Sequence, residues 1–409
     1  MIRKCTIGCL LVTLATLGLA ADWPQWHGPN RDNVCTETGL LAAWPAGGPP
    51  LVWTATGLGG GYAGVAVVAG RIFTSGDFTN GASVLALDAK SGNQLWQAPL
   101  GKAGGGGGYP GPRATPTVDG QLVYALGQYG DLVCLQASDG TEVWRKNLTV
   151  DFGGKMMSGW GNSESPLVVG NKLLCTSGGL AGSVIALDKK TGALLWRCKE
   201  LTDAAAYSSL IIAKIAGVPQ VIVVTGEHVA GIEPETGKLL WSAPRKGPTA
   251  VAPTPVCKDD CVFVTSGYGA GCNLFKITRT GTEFQAAEVY ANKAMINHHG
   301  GVVLVGAHVY GFSDGKGWTC LDLQTGQSVW DSKKLGKGTL LCADGHLYLY
   351  SETGSTLVLI EATPTGWQET GRLEPTDRSG KNTWAHLAVS NGQLFVRNQD
   401  AVHCYNIKQ

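Results

Sequence analysis

Ala186-Leu187-Asp188-Lys189-Lys190-Thr191-Gly192-Ala193-Leu194-Leu195-Trp196 is the stretch whose reading decides the fold. It returns as Ala86 to Trp96, Cys134 to Trp144, Gly231 to Trp241 and Cys320 to Trp330. Each copy runs from a small residue or Cys through an aliphatic to Asp, Glu or Gln, with Gly at the seventh position and Trp at the eleventh. The pattern reads as strand, tight turn, strand. Asp188 can accept backbone N–H groups at the turn. Gly192 supplies the positive φ that a short hairpin with a bulge requires. Leu194 and Trp196 are expected to alternate onto one face of the return strand. A lone hairpin cannot bury a Trp, so each copy must pack on a neighbour.

Working outward, the third position recurs at Asp88, Gln136, Asp188, Glu233 and Asp322, with weaker copies at Ile277, Glu361 and Asn406. The spacing of about 40 to 50 residues is that of four-stranded propeller blades. The copy around Phe275–Gln285 keeps Gly281 and lacks a Trp. The last copy, Cys404-Tyr405-Asn406, runs out before its return strand. Pro50-Leu51-Val52-Trp53-Thr54-Ala55 reads as the missing Trp strand, and pairing the two closes the ring and removes exposed edges. The expectation is an all-β, eight-bladed β-propeller of four-stranded antiparallel blades, closed by its N-terminal strand. Its domains are a signal peptide over 1–21, an irregular arm over 22–49 laid across the ring, and one propeller over 50–409. Within the second blade the strands are expected at Thr115–Val118, Leu122–Leu126, Leu132–Leu135 and Glu142–Asn147. Gly104 to Gly108 reads as a flexible loop between blades.

Composition agrees. There are 59 Gly and 13 Trp, only 15% of residues are charged, and amphipathic helical patterns are nearly absent. Lys and Arg number 32 against 31 Asp and Glu, so charge points to neither nucleic acid nor an anionic membrane. Arg3-Lys4, the apolar run Ile7 to Leu19 and Gly18-Leu19-Ala20 form a secretory signal, too short for a membrane span. The protein is therefore expected to be exported, periplasmic or extracellular. Cys134, Cys320 and Cys404 occupy the first position of three different copies; they cannot pair with one another and read as small buried residues. Cys257 and Cys261 flank a tight turn, and a disulfide between them and two free thiols are both open readings. No zinc or haem spacing follows.

The phrase resembles the repeat of the pyrroloquinoline-quinone-like (PQQ-like) propeller family over roughly residues 50–409, and Asp22-Trp23-Pro24-Gln25-Trp26-His27-Gly28-Pro29-Asn30-Arg31 is similar to the start of its exported bacterial members. That resemblance implies the fold and two kinds of activity: quinoprotein dehydrogenases, and non-catalytic members such as the propeller of the outer-membrane assembly machinery. The dehydrogenases carry adjacent cysteines over the cofactor, and no two cysteines are adjacent here.

In such a ring the Thr-Gly turns lie on one face, and the loops leading into each inner strand, with the loops joining the middle strands, surround the channel mouth on the other. Those loops hold Arg113, Trp160, Asn162, Glu164, Tyr207, Tyr268, Asn297, His298, His299, Lys337, Trp384 and His386. Arg113 and Glu164 lead into neighbouring blades and can form a binding pair or an inter-blade salt bridge. Adjacent His298 and His299 would point to opposite faces of an extended strand, so at most one would face the channel. Trp160 and Trp384 can stack on a ring-shaped ligand or anchor loops; Lys337 can be solvated. No nucleophile elbow, phosphate loop or zincin motif occurs.

Three functions follow as expectations. The first is a non-catalytic binding or scaffold propeller, with an unknown protein or small molecule at the channel mouth. The second, implied by the resemblance, is an alcohol or sugar oxidoreductase using pyrroloquinoline quinone with calcium, held by Arg113, Asn162 and Glu164. The third is a hydrolase or lyase on an extracellular polymer, with Glu164 and His298 or His299 as acid and base.

Overall fold

The fold is that of a computed structural model, which describes residues 22–375 and 379–409. Residues 1–21, read above as a signal peptide, lie outside the described residues. Strands and turns account for all regular structure among the described residues, and none of their helices is long and apolar enough to cross a membrane, because they contain none.

Eight sheets form the eight expected blades. Blade one is Ala66–Val68, Arg71–Phe78, Gly81–Asp88 and Gln94–Gly101, and the following sheets repeat this order. In blade two the inner strand is Thr117–Asp119, the third Asp131–Gln136, and the other two are as expected. Blade eight is Ala388–Ser390, Gln393–Asn398 and Ala401–Asn406, completed by Leu51–Ala55, which pairs antiparallel with Ala401–Asn406 and closes the ring. Blade seven gains a fifth strand, because Val34–Cys35 pairs parallel with its inner strand Gly338–Ala343.

The phrase behaves as a staple between blades. Asp188 Oδ1 accepts from the Lys190 and Thr191 amides at 3.0 and 2.9 Å and from the Thr191 hydroxyl at 2.9 Å. Five of the six Trp indoles at this position then reach sideways, whereas Trp241 donates to Gln220 Oε1 of its own blade at 2.7 Å. Trp53 donates to Ala89 O, Trp96 to Ala137 O, Trp144 to Lys189 O, Trp196 to Pro234 O and Trp330 to Thr363 O, each in the turn of the next blade. The turn glycine is the seat of that indole. A Cβ at Gly92, Gly140 or Gly192 would stand 2.7, 2.7 or 2.9 Å from the ring of Trp53, Trp96 or Trp144.

The simple alternation expected of Leu194 and Trp196 does not occur. A bulge shifts the register just before the Trp position in every blade, leaving Leu195 45% exposed. The two blades without a Trp fill the place differently. Tyr290 occupies it in blade five, donates to Leu323 O at 2.9 Å and lies over Gly326. Gly371 occupies it in blade seven, where Trp44 of the arm packs directly on the glycine and beside Tyr348. The Trp44–Tyr348 centroid distance of 5.9 Å matches the 5.9 Å between Trp96 and Phe73 in blade one.

Residues 22–35 do not lie across the ring but enter it. Trp23 bridges Val67 of blade one, Pro24 O accepts from Val118 of blade two, Arg31 donates to Ser165 O and Pro166 O, Trp26 to Thr254 and Asn33 to Leu340 O. These partners are in or beside the inner strands, so the arm plugs the central channel.

The ten described cysteines are free. Cys134, Cys320 and Cys404 are buried, as expected. The Cys257–Cys261 bridge is absent because the hairpin sets Cys257 against Val262 and Cys261 against Lys258, which sends the two thiols to opposite faces. Gly104 to Gly108 is a packed loop rather than a loose one: Asp77 and Gln128 bind Gly104, and Gly107 abuts the Trp160 indole.

Candidate functional site

The loops leading into the inner strands, with the loop between the second and third strands of blade five that carries Tyr268, converge on a cup of about 250 Å³ above the plug. Its wall takes Tyr62 from the loop before blade one, Tyr109 and Arg113 before blade two, and Trp160 before blade three. Tyr207, Tyr268, His298 with His299, and Trp384 with His386 continue it around the ring. Trp26 of the arm supplies the floor, stacked on His27 at 4.1 Å. Trp384 stacks on Tyr62 at 4.5 Å and lies 4.8 Å from Tyr109, while Trp160 groups with Tyr207 and Tyr268.

Not every expected residue reaches the cup. Arg113 does, but it does not pair with Glu164; its Nη1 and Nη2 donate to Trp160 O at 2.9 Å and Tyr109 O at 2.7 Å. Burial lowers its pKa, opposed by nearby Tyr62. Glu164 is buried outside the lining, accepting from the Thr176 amide near Arg31 of the arm. Burial raises its pKa to about 7, against the pull of the Thr176 hydrogen bonds and Arg31. Asn162 is likewise buried and donates to Gln128 O. Asn297 is a structural clasp between Gly301 O and Phe312 O.

Both His298 and His299 line the cup, because they lie in a loop where strand alternation does not apply. Lys337 is paired rather than simply solvated. It is 3.1 Å from His298 Nδ1 and 3.3 Å from Glu352 Oε1. Glu352, a residue the sequence reading passed over, also accepts from Trp384 Nε1 at 2.9 Å and faces His299 Nε2 at 3.4 Å. That last contact is long for a hydrogen bond, so the His299 nitrogen is left unsatisfied.

The tautomers follow from the donors. An ammonium has only N–H groups to offer, so His298 Nδ1 accepts from Lys337 and Nε2 carries the proton towards Tyr268 O, 2.8 Å away. The Tyr268 hydroxyl hydrogen is thereby freed to point elsewhere. His386 Nε2 faces His299 O at 3.2 Å and must donate, so its Nδ1 accepts from His27 Nε2 at 2.9 Å. Burial holds all four histidines below the ordinary imidazole value, His386 at about 4; His298 and Lys337 add to the effect at His299, and His386 and Arg31 at His27. No group of three or more His, Cys, Asp or Glu side chains suited to a metal occurs among the described residues.

With this geometry in place, the comparisons with known proteins carry a family. The profile of the family described as outer membrane protein assembly factor BamB, built on PQQ-like repeats, matches residues 80–332. The chain belongs to that family of PQQ-like propellers. It is 27% identical over 307 residues to the outer membrane protein assembly factor BamB of Burkholderia pseudomallei, covering 69% of each chain. It is 29% identical over 174 residues to the serine/threonine-protein kinase AfsK of Streptomyces griseus, covering 41% of this chain and only 20% of that protein's length. Among solved structures, BamB from Moraxella catarrhalis superposes with a TM-score of 0.61 at 14% identity, covering 88% of this chain and 98% of that one. The quinohemoprotein alcohol dehydrogenase from Comamonas testosteroni gives a TM-score of 0.67 at 12% identity, covering 95% and 81%. Both likenesses speak for the fold alone.

Proposed function

We propose that the protein is an exported, non-catalytic binding propeller of the cell envelope, which offers its cup to a ligand and its blades to a protein partner. The observation that carries this reading is that the charged groups in and behind the cup wall are engaged with protein partners, which leaves the unsatisfied His299 nitrogen with neither a nucleophile nor a free carboxylate beside it. Lys337 holds Glu352 and His298, and Arg113 is tied to two carbonyls. His386 is buried neutral against His27. A general base needs a free, suitably placed lone pair, and a nucleophile needs such a base beside it. The BamB relatives, named as assembly factors, support the scaffold half of the reading.

The quinone alternative is favoured by the likeness to an alcohol dehydrogenase, but the donors speak against it. Calcium seeks several oxygen ligands, and Asn162 and Glu164, which the resemblance offers for it, are bonded to Gln128 and Thr176 outside the lining. The acid–base pair of a polymer hydrolase or lyase loses its carboxylate for the same reason. The deciding experiment incubates the purified protein with pyrroloquinoline quinone and calcium and follows bound absorbance and dye-linked alcohol oxidation. No bound quinone is expected; stoichiometric binding with turnover would overturn the proposal.

A further inference from the structure

We infer that the cup is a saccharide-binding site, taking a ring of a neutral glycan and part of its neighbour. The inference rests on the binding reading above, since it places the ligand in the cup. Its first support is the wall. Trp160 and Trp384 belong to two separate aromatic groups, one with Tyr207 and Tyr268, the other with Tyr62 and Tyr109. Neither Trp is the blade-stapling indole, so stapling does not account for them. Aromatic faces set around a small cavity suit a flat ligand with an apolar face, and the C–H face of a pyranose is one.

The second support is the polar complement. Tyr hydroxyls both donate and accept, and the cup's imidazoles are neutral. Sugar hydroxyls have the same double character, whereas an aromatic side chain would leave these groups without partners at a cost. The hydrogen-bond chain from Lys337 through His298 fixes this at one atom: Tyr268 accepts from His298 and so must donate its own hydrogen outward. Tyr268 is 40% exposed and lines the cup, so that hydrogen is offered to a ligand oxygen.

Charge and size narrow the class. Arg113 is the one fully charged side chain of the lining, and its Nη atoms are engaged with carbonyls; Lys337 behind the wall is balanced by Glu352. A polyanionic glycan would find little to neutralise it. The cavity, about 250 Å³, is below the usual size of pockets that swallow drug-like ligands, so it holds the end of a chain rather than a folded segment.

The test titrates the purified protein with the tetrasaccharides of β-1,4-glucose, α-1,4-glucose, β-1,4-mannose and β-1,4-N-acetylglucosamine, read by calorimetry and tryptophan fluorescence. At least one should saturate at one-to-one stoichiometry by ~10 mM. Tyr268→Phe should weaken that binding about tenfold through the lost donor to the ligand, while the lost acceptor for His298 lowers stability only slightly and leaves the protein folded. Trp160→Ala should weaken it further. The inference is overturned if no glycan saturates, if Tyr268→Phe in a folded protein binds as well as the parent, or if N-acetyl-tryptophanamide binds more tightly than every glycan. Cleavage of a bound glycan would uphold the saccharide site while overturning the non-catalytic reading.

Discussion

His386 shows how much a single side chain is asked to do. It lines the cup, accepts from His27 and donates to the backbone of His299, and it performs all three roles uncharged. Its pKa of about 4 when folded lies below that of a free imidazole, so the unfolded chain binds more protons between those values. Stability from this group is fully present above pH 6.5 and is lost as pH falls towards about 4, by on the order of 3 kcal/mol. His27, His298 and His299 shift in the same direction. Glu164 has the opposite sign: raised to about 7, its contribution is present below the ordinary carboxyl value and lost as pH rises through 7. His386→Asn keeps an acceptor for His27 and removes the titration. Thermal melts of the variant should therefore fall less steeply than those of the parent between pH 6.5 and 4. Arg31 offers a second test. Buried in the plug beside Glu164, it cannot leave without stranding a carboxylate, and Arg31→Met should cost about 3 kcal/mol at pH 8 by denaturant titration, partly recovered by adding Glu164→Gln. The sequence announced Trp160, Trp384, Tyr207 and Tyr268 because they interrupt loops that blade packing does not explain. Glu352 lies in the loop joining the second and third strands of blade seven, as Tyr268 does in blade five, and escaped notice because nothing in Glu352-Thr353-Gly354 sets it apart from an ordinary turn carboxylate. Arg31 and His27 escaped because an arm without periodicity gives no hint that it turns inward.

The blade is the unit at which sequence and structure agree best, since Asp, Gly and Trp each have a local job that no neighbour can override. What one copy cannot reveal is where its indole goes. Reading Gly192 as a turn residue was right and incomplete, because the same glycine is also a seat for Trp144 of the blade before it. The two roles can be separated within blade two. Gly120 and Gly140 both have positive φ, but a Cβ at Gly120 meets nothing within 4 Å while one at Gly140 stands 2.7 Å from Trp96. Gly120→Ala should cost about 1 kcal/mol of backbone strain, and Gly140→Ala about 1–3 kcal/mol more from the displaced indole, measured by urea unfolding. Equal losses would mean the seat is unimportant. Blade five is the counterpart. Tyr290→Phe should lose about 1 kcal/mol, because only the hydroxyl that bridges to Leu323 O is removed. The place of the bulge, immediately before each indole, was not legible, since pairs such as Gln94-Leu95 and Leu194-Leu195 look the same in a straight strand and in a bulged one.

At the scale of the molecule, eight copies of one phrase and one orphan strand were enough to close the ring, because a free edge at each end is a conflict that pairing resolves. The plug was not legible from the same reasoning. Nothing in Trp23, Trp26 or Trp44 says that the first two go into the channel while the third stands in for the missing Trp of blade seven. Trp44→Ala should therefore act like removal of a blade staple, lowering stability by about 3–5 kcal/mol in the same unfolding transition as the rest of the ring. A separate early transition would show that the arm packs independently. The plug also sets an order of events. Arg31 bonds across 134 residues to Ser165, and His27 across 359 to His386, so the segment that leads the described chain finds its last partners only when blade eight exists. Contacts so distant in sequence pay their closure entropy before they return anything. The arm is therefore a keystone: first in the chain, last to settle, and the piece whose release must precede the opening of the arch.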